Sequence, residues 1–354
     1  MKPTKELHDL GQSLWLDNIT RTMLDDGTLA KYISDYSITG LTSNPSIFDA
    51  AIGDGNAYDA AIKQKKAAGL KDEKLFIEIA LEDLRRAADL FKPVFEQTKH
   101  VDGWVSMEVS PLLASDTKGS IEAAEQIHEL AQRENLFVKI PGTPEGNPAI
   151  EEAIFQGIPI NVTLLFSREH YLASAEAYMR GIERRIEKGL NPVVGSVASL
   201  FISRWDVAAN KQLPENLHNK LGIAVGQITY RAYRDVLDSP RWKKLAAAGA
   251  LPQRLLWAST GTKDPNAPDT MYVTAFAAPN TVDTLPDKTI KAFADHGKLE
   301  GAMDRNGGEG DATIAAIEKA GVDVTALAKQ LQKEGADAFV KSWKQLLQRI
   351  ADKS

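Results

Sequence analysis

Eight short apolar runs alternate with helical stretches, no Gly/Pro/Ser-rich linker divides them, and the first strand-to-helix turn has no glycine. These observations predict an α/β fold, a single (β/α)8 TIM barrel. The runner-up is an open doubly wound sheet. Such a sheet normally carries a glycine-rich first turn, and here that turn reads Asp17-Asn18-Ile19-Thr20. The whole chain, 1–354, is read as one barrel domain: the barrel over about 13–300, extra helices between the sixth and seventh strands, and a C-terminal helical extension over about 312–353.

The elements follow in order. A helix from Thr4 to Leu10 precedes a first strand, Ser13 to Ile19, whose last turn is polar. Asp26-Gly27 opens a helix to about Tyr36, and Ile38 to Pro45 is the second strand, ended by its proline. A helical stretch from Ser46, a Gly/Asp loop and a long amphipathic helix from about Glu73 to Phe95 lead to the third strand, Gly103 to Val109. A helix between Lys118 and Glu134 precedes the fourth strand, Leu136 to Ile140. A helix from Pro148 stops at Gly157 before the fifth strand, Ile160 to Phe166. Ser167 is placed to cap a helix to about Lys188. Val193 to Phe201 is the sixth strand, followed by about fifty helical residues interrupted near Leu213-Pro214 and Ser239-Pro240. Leu255 to Ser259 and Thr281 to Leu285 are the seventh and eighth strands. From Asp287 the chain reads as helical. Its final segment sets Phe339, Val340, Trp343, Leu346, Leu347 and Ile350 at helical spacing, one face for docking on the body.

Composition excludes several classes of function. With a net charge of −6 and no block of lysine or arginine, the chain has no electrostatic footprint for nucleic acid or an anionic membrane. It contains no cysteine, so disulfides, thiolate metal sites and cysteine nucleophiles are excluded together. The N-terminus, MKPTKELHDLGQ, lacks the apolar core of a signal peptide, and no apolar stretch is long enough to span a bilayer; the expectation is a cytoplasmic protein. The sequons at Asn18 and Asn161 are then decoys, and the stretch Asp304 to Asp311, without a bidentate glutamate at the calcium-loop spacing, reads as a solvated loop.

The chemistry centres on Lys139 in Arg133 to Gly146, RENLFVKIPGTPEG. An apolar run carries one lysine and stops at Ile140-Pro141-Gly142, a buried strand meeting its loop. A strand-end lysine can snorkel to solvent. Held out of water, its amine instead becomes the nucleophile that a Schiff base with a ketone requires. In a barrel the reacting side chains sit where strands pass into the loops at their carboxyl ends. Applied strand by strand, that rule selects Asp17, Thr42 and Asn44, Glu108, Lys139, Asn161 and Thr163, Ser199, and Ser259. Two carboxylates, one amine and several hydroxyl and amide groups at one mouth suit acid/base chemistry around an imine.

Other chemistries fit less well. The six histidines fall in helices or loops, no HExxH occurs, the one GK pair is followed by Leu299, and no G-x-S-x-G elbow appears. A phosphate site is expected from Ser259-Thr260-Gly261-Thr262-Lys263 after the seventh strand, where barrels frequently bind phosphate, and from Arg204 beyond the sixth, unless Arg204 pairs with Asp206.

Asp17 in Trp15-Leu16-Asp17, Thr42-Ser43-Asn44-Pro45-Ser46, Glu108 in SMEVSP, Lys139 in VKIPGTPEG, Asn161 to Ser167 (NVTLLFS), and Ser199 with Arg204 resemble the transaldolase family, in family order over about residues 13–290. The resemblance implies a class I aldolase barrel that needs no metal or organic cofactor, in which Lys139 forms the Schiff base with a ketose phosphate. It implies that Asp17 takes the hydroxyl proton in carbon–carbon cleavage and that Glu108 relays protons through a water held with Thr163. Asn44, Asn161 and Ser199 would hold the dihydroxyacetone unit, with Thr42 beside them. Two features depart from the usual pattern: Lys263 stands near a position that commonly carries an arginine, and Ser196 lies close to Ser199, which is chosen for its spacing to Arg204. The long helical segments are similar to those of the longer bacterial form, sometimes fused to another pentose-pathway enzyme; a monomer or homodimer acting on sugar phosphates is expected. The competing readings are a fructose 6-phosphate aldolase that releases free dihydroxyacetone, and a non-catalytic sugar-phosphate sensor, which would lack Lys139 or Asp17.

Overall fold

The structure, a computed structural model, describes residues 2–353. It holds eight parallel strands: β1 (Ser13–Leu16), β2 (Ile38–Leu41), β3 (Val105–Glu108), β4 (Leu136–Pro141), β5 (Ile160–Leu165), β6 (Ser196–Phe201), β7 (Gln253–Ala258) and β8 (Val282–Leu285). Their order is β2-β1-β8-β7-β6-β5-β4-β3. Backbone bonds across the remaining seam complete the ring, from Gly103 N to Thr39 O (3.0 Å) and from Leu41 N to Trp104 O (3.0 Å). Gly103 is required there: its φ is +84°, and a Cβ would come within 2.4 Å of the Phe95 backbone nitrogen. The predicted TIM barrel is the observed one, and the open doubly wound sheet is not.

Every strand is buried along its length, as expected of a parallel sheet covered by helices outside and side chains inside. Inside the ring, Trp15, Trp104 and Phe137 fill the end where the strands begin; the Trp104 and Phe137 rings stack with centroids 4.0 Å apart. A buried polar network closes that end. Asp102 accepts from the Ser13 hydroxyl and, at 2.8 Å, from Trp15 Nε1, while Arg254 donates to Ser13 Oγ (2.7 Å) and Thr281 O (2.8 Å). With one mouth plugged, chemistry is confined to the other.

Several element boundaries differ from expectation. β1 and β2 stop at Leu16 and Leu41, yet Asp17 N still donates to Leu285 O (2.8 Å) and Thr42 N to Leu16 O (2.9 Å), so the polar ends stay tied to the barrel. β4 runs on through Pro141. β6 begins at Ser196 rather than Val193, and β7 begins earlier, at Gln253, because Gln253 and Arg254 are buried polar residues of the plug network rather than loop. Ser167 caps the helix Arg168–Glu187 by accepting from His170 N (3.1 Å). Between β6 and β7 lie the helices Ser203–Ala209, Leu221–Asp238 and Pro240–Ala247.

Beyond Asp287 the chain is not helical throughout. The helix Asp287–His296 gives way to an irregular stretch, and helices resume at Gly310–Lys319 and Val324–Asp352. Gly301, Gly307 and Gly308, all at positive φ, break the pattern. Within that stretch Asp304 accepts from Asn306 N, as a solvated loop does, while Asp311, expected in the same loop, lies in the first turn of the next helix and pairs with Arg231. The C-terminal helix buries Phe339, Trp343, Leu346 and Ile350. It docks on the helices Pro45–Gly53 and Asp72–Gln97, with Trp343 edge-on to Phe76 at 5.2 Å and Arg349 paired to Asp49.

Candidate active site

Register places the polar residues of three adjacent strands at one level. Glu108 of β3 pairs with Lys139 of β4, which pairs with Asn161 of β5. Lys139 is 5% exposed; its Nζ lies 3.2 Å from Glu108 Oε2 and donates to Ser43 O at 3.0 Å. The amine therefore points into the ring and not outward into solvent.

It faces a cavity of about 520 Å3 at the carboxyl ends of the strands. Asp17, Thr42, Asn44, Lys139, Thr163, Ser199, Arg204, Ser259 and Lys263 all line this cavity. Nine of the eleven residues selected from the sequence thus reach one opening. Glu108 and Asn161 stand behind it, Glu108 against the Lys139 amine and Asn161 fully buried, donating to Ser106 Oγ (3.2 Å) and accepting from Ser199 Oγ (2.8 Å). Asn161 communicates with the cavity through Ser199. Its burial also rules out glycosylation of the folded chain at that sequon. Ser196, the alternative to Ser199, lies away from this mouth and bonds Ile160 O and Gln253.

The carboxylates are held in different ways. Asp17 faces the cavity but is surrounded by enough protein that burial raises its pKa; the hydrogen bond from Thr42 (2.7 Å) and the charges of Lys139 and Lys263 oppose that rise. Burial also raises Glu108, with Lys139 offsetting part of the effect. Both Glu108 oxygens and the Thr163 hydroxyl are buried without a hydrogen-bond partner among the described residues, the Glu108 to Lys139 approach being an ion pair without hydrogen-bond alignment. Each retains capacity for a substrate hydroxyl or a bridging water.

Arg204, also on the cavity wall, has no carboxylate within ion-pair distance among the described residues; Asp206 instead accepts from Tyr272 (2.6 Å) and Gly222 N (3.1 Å). Burial lowers the Arg204 pKa, with the charge of Glu334 acting against this. A guanidinium with no anionic partner beside a cavity is a ready anion contact. Ser259, at φ 58°, shares a hydrogen bond with Ser203 (2.9 Å), and Lys263 is exposed at the rim.

The neighbours that the sequence does not mark as site residues include three that touch the selected ones. Thr284 of β8 is bonded to Thr42 at 2.6 Å, Ser106 of β3 holds Asn161, and Phe339 of the C-terminal helix lines the cavity. Thr284 and Ser106 were visible as inward-facing hydroxyls of their strands. Phe339 carried only the signal of a helix face with somewhere to dock.

No helix among the described residues is long and apolar enough to cross a membrane, and no group of three or more His, Asp or Glu side chains is placed to hold a metal ion. Residues 14–350 match the model of the family described as Transaldolase/Fructose-6-phosphate aldolase. The chain is 44% identical to a transaldolase of Thermobifida fusca, over 99% of this chain and 97% of that protein. It is 44% identical to a transaldolase of Arthrobacter sp., over 98% and 95%, and 41% identical to one of Trichodesmium erythraeum, over 98% and 96%. With the barrel, its lysine mouth and full-length relatives in agreement, this chain belongs to the transaldolase/fructose-6-phosphate aldolase family and is an enzyme of its transaldolase branch.

Proposed function

We propose that the protein moves a dihydroxyacetone unit from fructose 6-phosphate or sedoheptulose 7-phosphate to an aldose phosphate, erythrose 4-phosphate or glyceraldehyde 3-phosphate, through a Schiff base on Lys139. The observation that carries this reading is a buried amine in a cavity, 3.2 Å from one carboxylate and sharing the opening with a second and with an unpaired arginine. A cavity of about 520 Å3 suits a ligand of that size.

The amine attacks the ketose carbonyl, and Glu108, its pKa raised by burial, exchanges the protons that imine formation requires. Water leaves as the imine forms, and the iminium draws electrons from the adjacent carbon–carbon bond. Asp17 removes the proton of the hydroxyl on the departing side, the bond breaks, and an aldose phosphate is released. The three-carbon enamine stays on Lys139, its hydroxyls held by Asn44 and Ser199, with Asn161 orienting Ser199. A second aldose phosphate then accepts the unit by the same steps in reverse. Arg204 grips the phosphate, with Ser259 and Lys263 on the same wall. The reaction belongs to the non-oxidative pentose phosphate pathway, carried out in the cytoplasm by a monomer or homodimer with no cofactor required.

The test is acceptor dependence. With fructose 6-phosphate as donor, release of glyceraldehyde 3-phosphate beyond one equivalent per active site should require erythrose 4-phosphate and be matched by sedoheptulose 7-phosphate formed. Steady release of free dihydroxyacetone, at a rate unchanged by the acceptor, would point to the aldolase reading instead.

A further inference from the structure

One wall of the cavity comes from outside the barrel. The C-terminal helix Val324–Asp352 crosses the mouth and presents Phe339, 5% exposed, with its ring centroid 6.0 Å from Lys139 Nζ and 6.5 Å from the Phe201 ring. One turn earlier, Gly335 lies so close to the barrel rim that a Cβ would meet Leu164 Cδ2 at 3.0 Å and Arg204 Nη1 at 3.2 Å. On the same face, Gln332 Nε2 donates to Gly142 O (3.1 Å) and Leu164 O (3.0 Å). Leu164 is turned into the left-handed region at φ 59°, where the β5 to β6 register shifts. Leucine rarely adopts that conformation. Positions 332, 335 and 339 share one helix face, so a single stripe is pinned to the rim at one end and covers the amine at the other.

The chemistry gives that stripe a task. An enamine on Lys139 has two fates. It can add to an acceptor aldehyde. Alternatively its carbon takes a proton to give an iminium, water adds to the iminium carbon, and the C–N bond breaks, restoring the amine and releasing free dihydroxyacetone. The water added replaces the water lost when the imine formed. The second route needs a water held against the iminium carbon, and a phenyl ring offers that water no strong hydrogen-bonding partner.

We propose that Phe339 sets the partition between transfer and release, acting as a positioning residue that keeps water from the covalent three-carbon unit while the Gln332 clamp holds its helix in place. The proposal rests on the Lys139 Schiff-base reading. It is tested on the full chain by measuring dihydroxyacetone released from fructose 6-phosphate alone, transfer to erythrose 4-phosphate, and borohydride-trapped adduct on Lys139, for the unmodified protein and for F339A, F339L and Q332A. The ratio of release to transfer should rise about tenfold or more in F339A, return toward the parental value in F339L, and rise in Q332A, with adduct still trapped on Lys139 in all. An unchanged ratio in F339A or in Q332A overturns the proposal. Should F339A fail to fold, Q332A, which removes only one amide at the helix edge, decides alone. Absence of adduct in the unmodified protein would instead defeat the Schiff-base reading underneath.

Discussion

The Asp17 carboxylate accepts a 2.7 Å hydrogen bond from the Thr42 hydroxyl, across two strands that begin the barrel and on the wall of the same cavity as Lys139. That bond opposes the rise in pKa that burial imposes on Asp17 and fixes where its second oxygen points. As the proposed base for carbon–carbon cleavage, Asp17 cannot be replaced by an amide. D17N should lower kcat by about 10²- to 10⁴-fold, while the donor still forms an imine that borohydride can trap. Loss of trapping together with turnover would place Asp17 in imine formation instead.

Removing the Thr42 hydroxyl tests the same bond through pH. The hydrogen bond lowers the Asp17 pKa, so T42V lets burial raise it further. The base must be ionised to act. The acid limb of the kcat/KM profile should therefore move to higher pH in T42V, and a limb that stays in place would show that another group controls it.

Arg204 should recognise the phosphate of the donor rather than its sugar. A charged hydrogen bond contributes about 1.5–3 kcal/mol, so R204A should raise KM for fructose 6-phosphate by about 10- to 100-fold. KM for unphosphorylated fructose should hardly change. Equal effects on both would remove the phosphate role.

Asp283 gives a stability prediction independent of catalysis. It is fully buried in β8, accepts from the Thr260 hydroxyl (2.8 Å), and has its carboxyl pushed up to about 7 by burial, against an ordinary value of 3.8. Below pH 4 both folded and unfolded chains keep the proton. Between about pH 4 and 7 only the unfolded chain releases it, so stability falls by on the order of 4 kcal/mol across that window and no further above it. D283N keeps an acceptor for Thr260 and removes the titration. Urea midpoints at pH 5 and pH 8 should differ less in D283N than in the parent, and an equal difference would contradict this assignment.

Much of this was legible in the sequence because the barrel ties chemistry to strand ends. Apolar runs locate the strands, and Asp17, Thr42, Lys139 and Ser199, polar residues near the carboxyl ends of four of them, line the mouth. Burial of Glu108 and Asn161 behind that mouth was not legible, since their depth is set by register with Lys139 between strands. Thr284 and Phe339 meet Thr42 and Lys139 from 242 and 200 positions away, and contacts at that separation leave no local pattern. The start of β7 is not legible for a related reason: Gln253 and Arg254 look like loop, and only Ser13, Ser196 and Thr281, distant in the chain, satisfy them inside the barrel.

The central claim is that the Lys139 nitrogen forms the covalent bond to substrate, and reduction with borohydride in the presence of fructose 6-phosphate tests it most directly. Peptide mapping by mass should find a dihydroxyacetone-derived adduct on Lys139, and K139M should show neither adduct nor turnover. An adduct on another lysine, or turnover with no adduct on any, would contradict it.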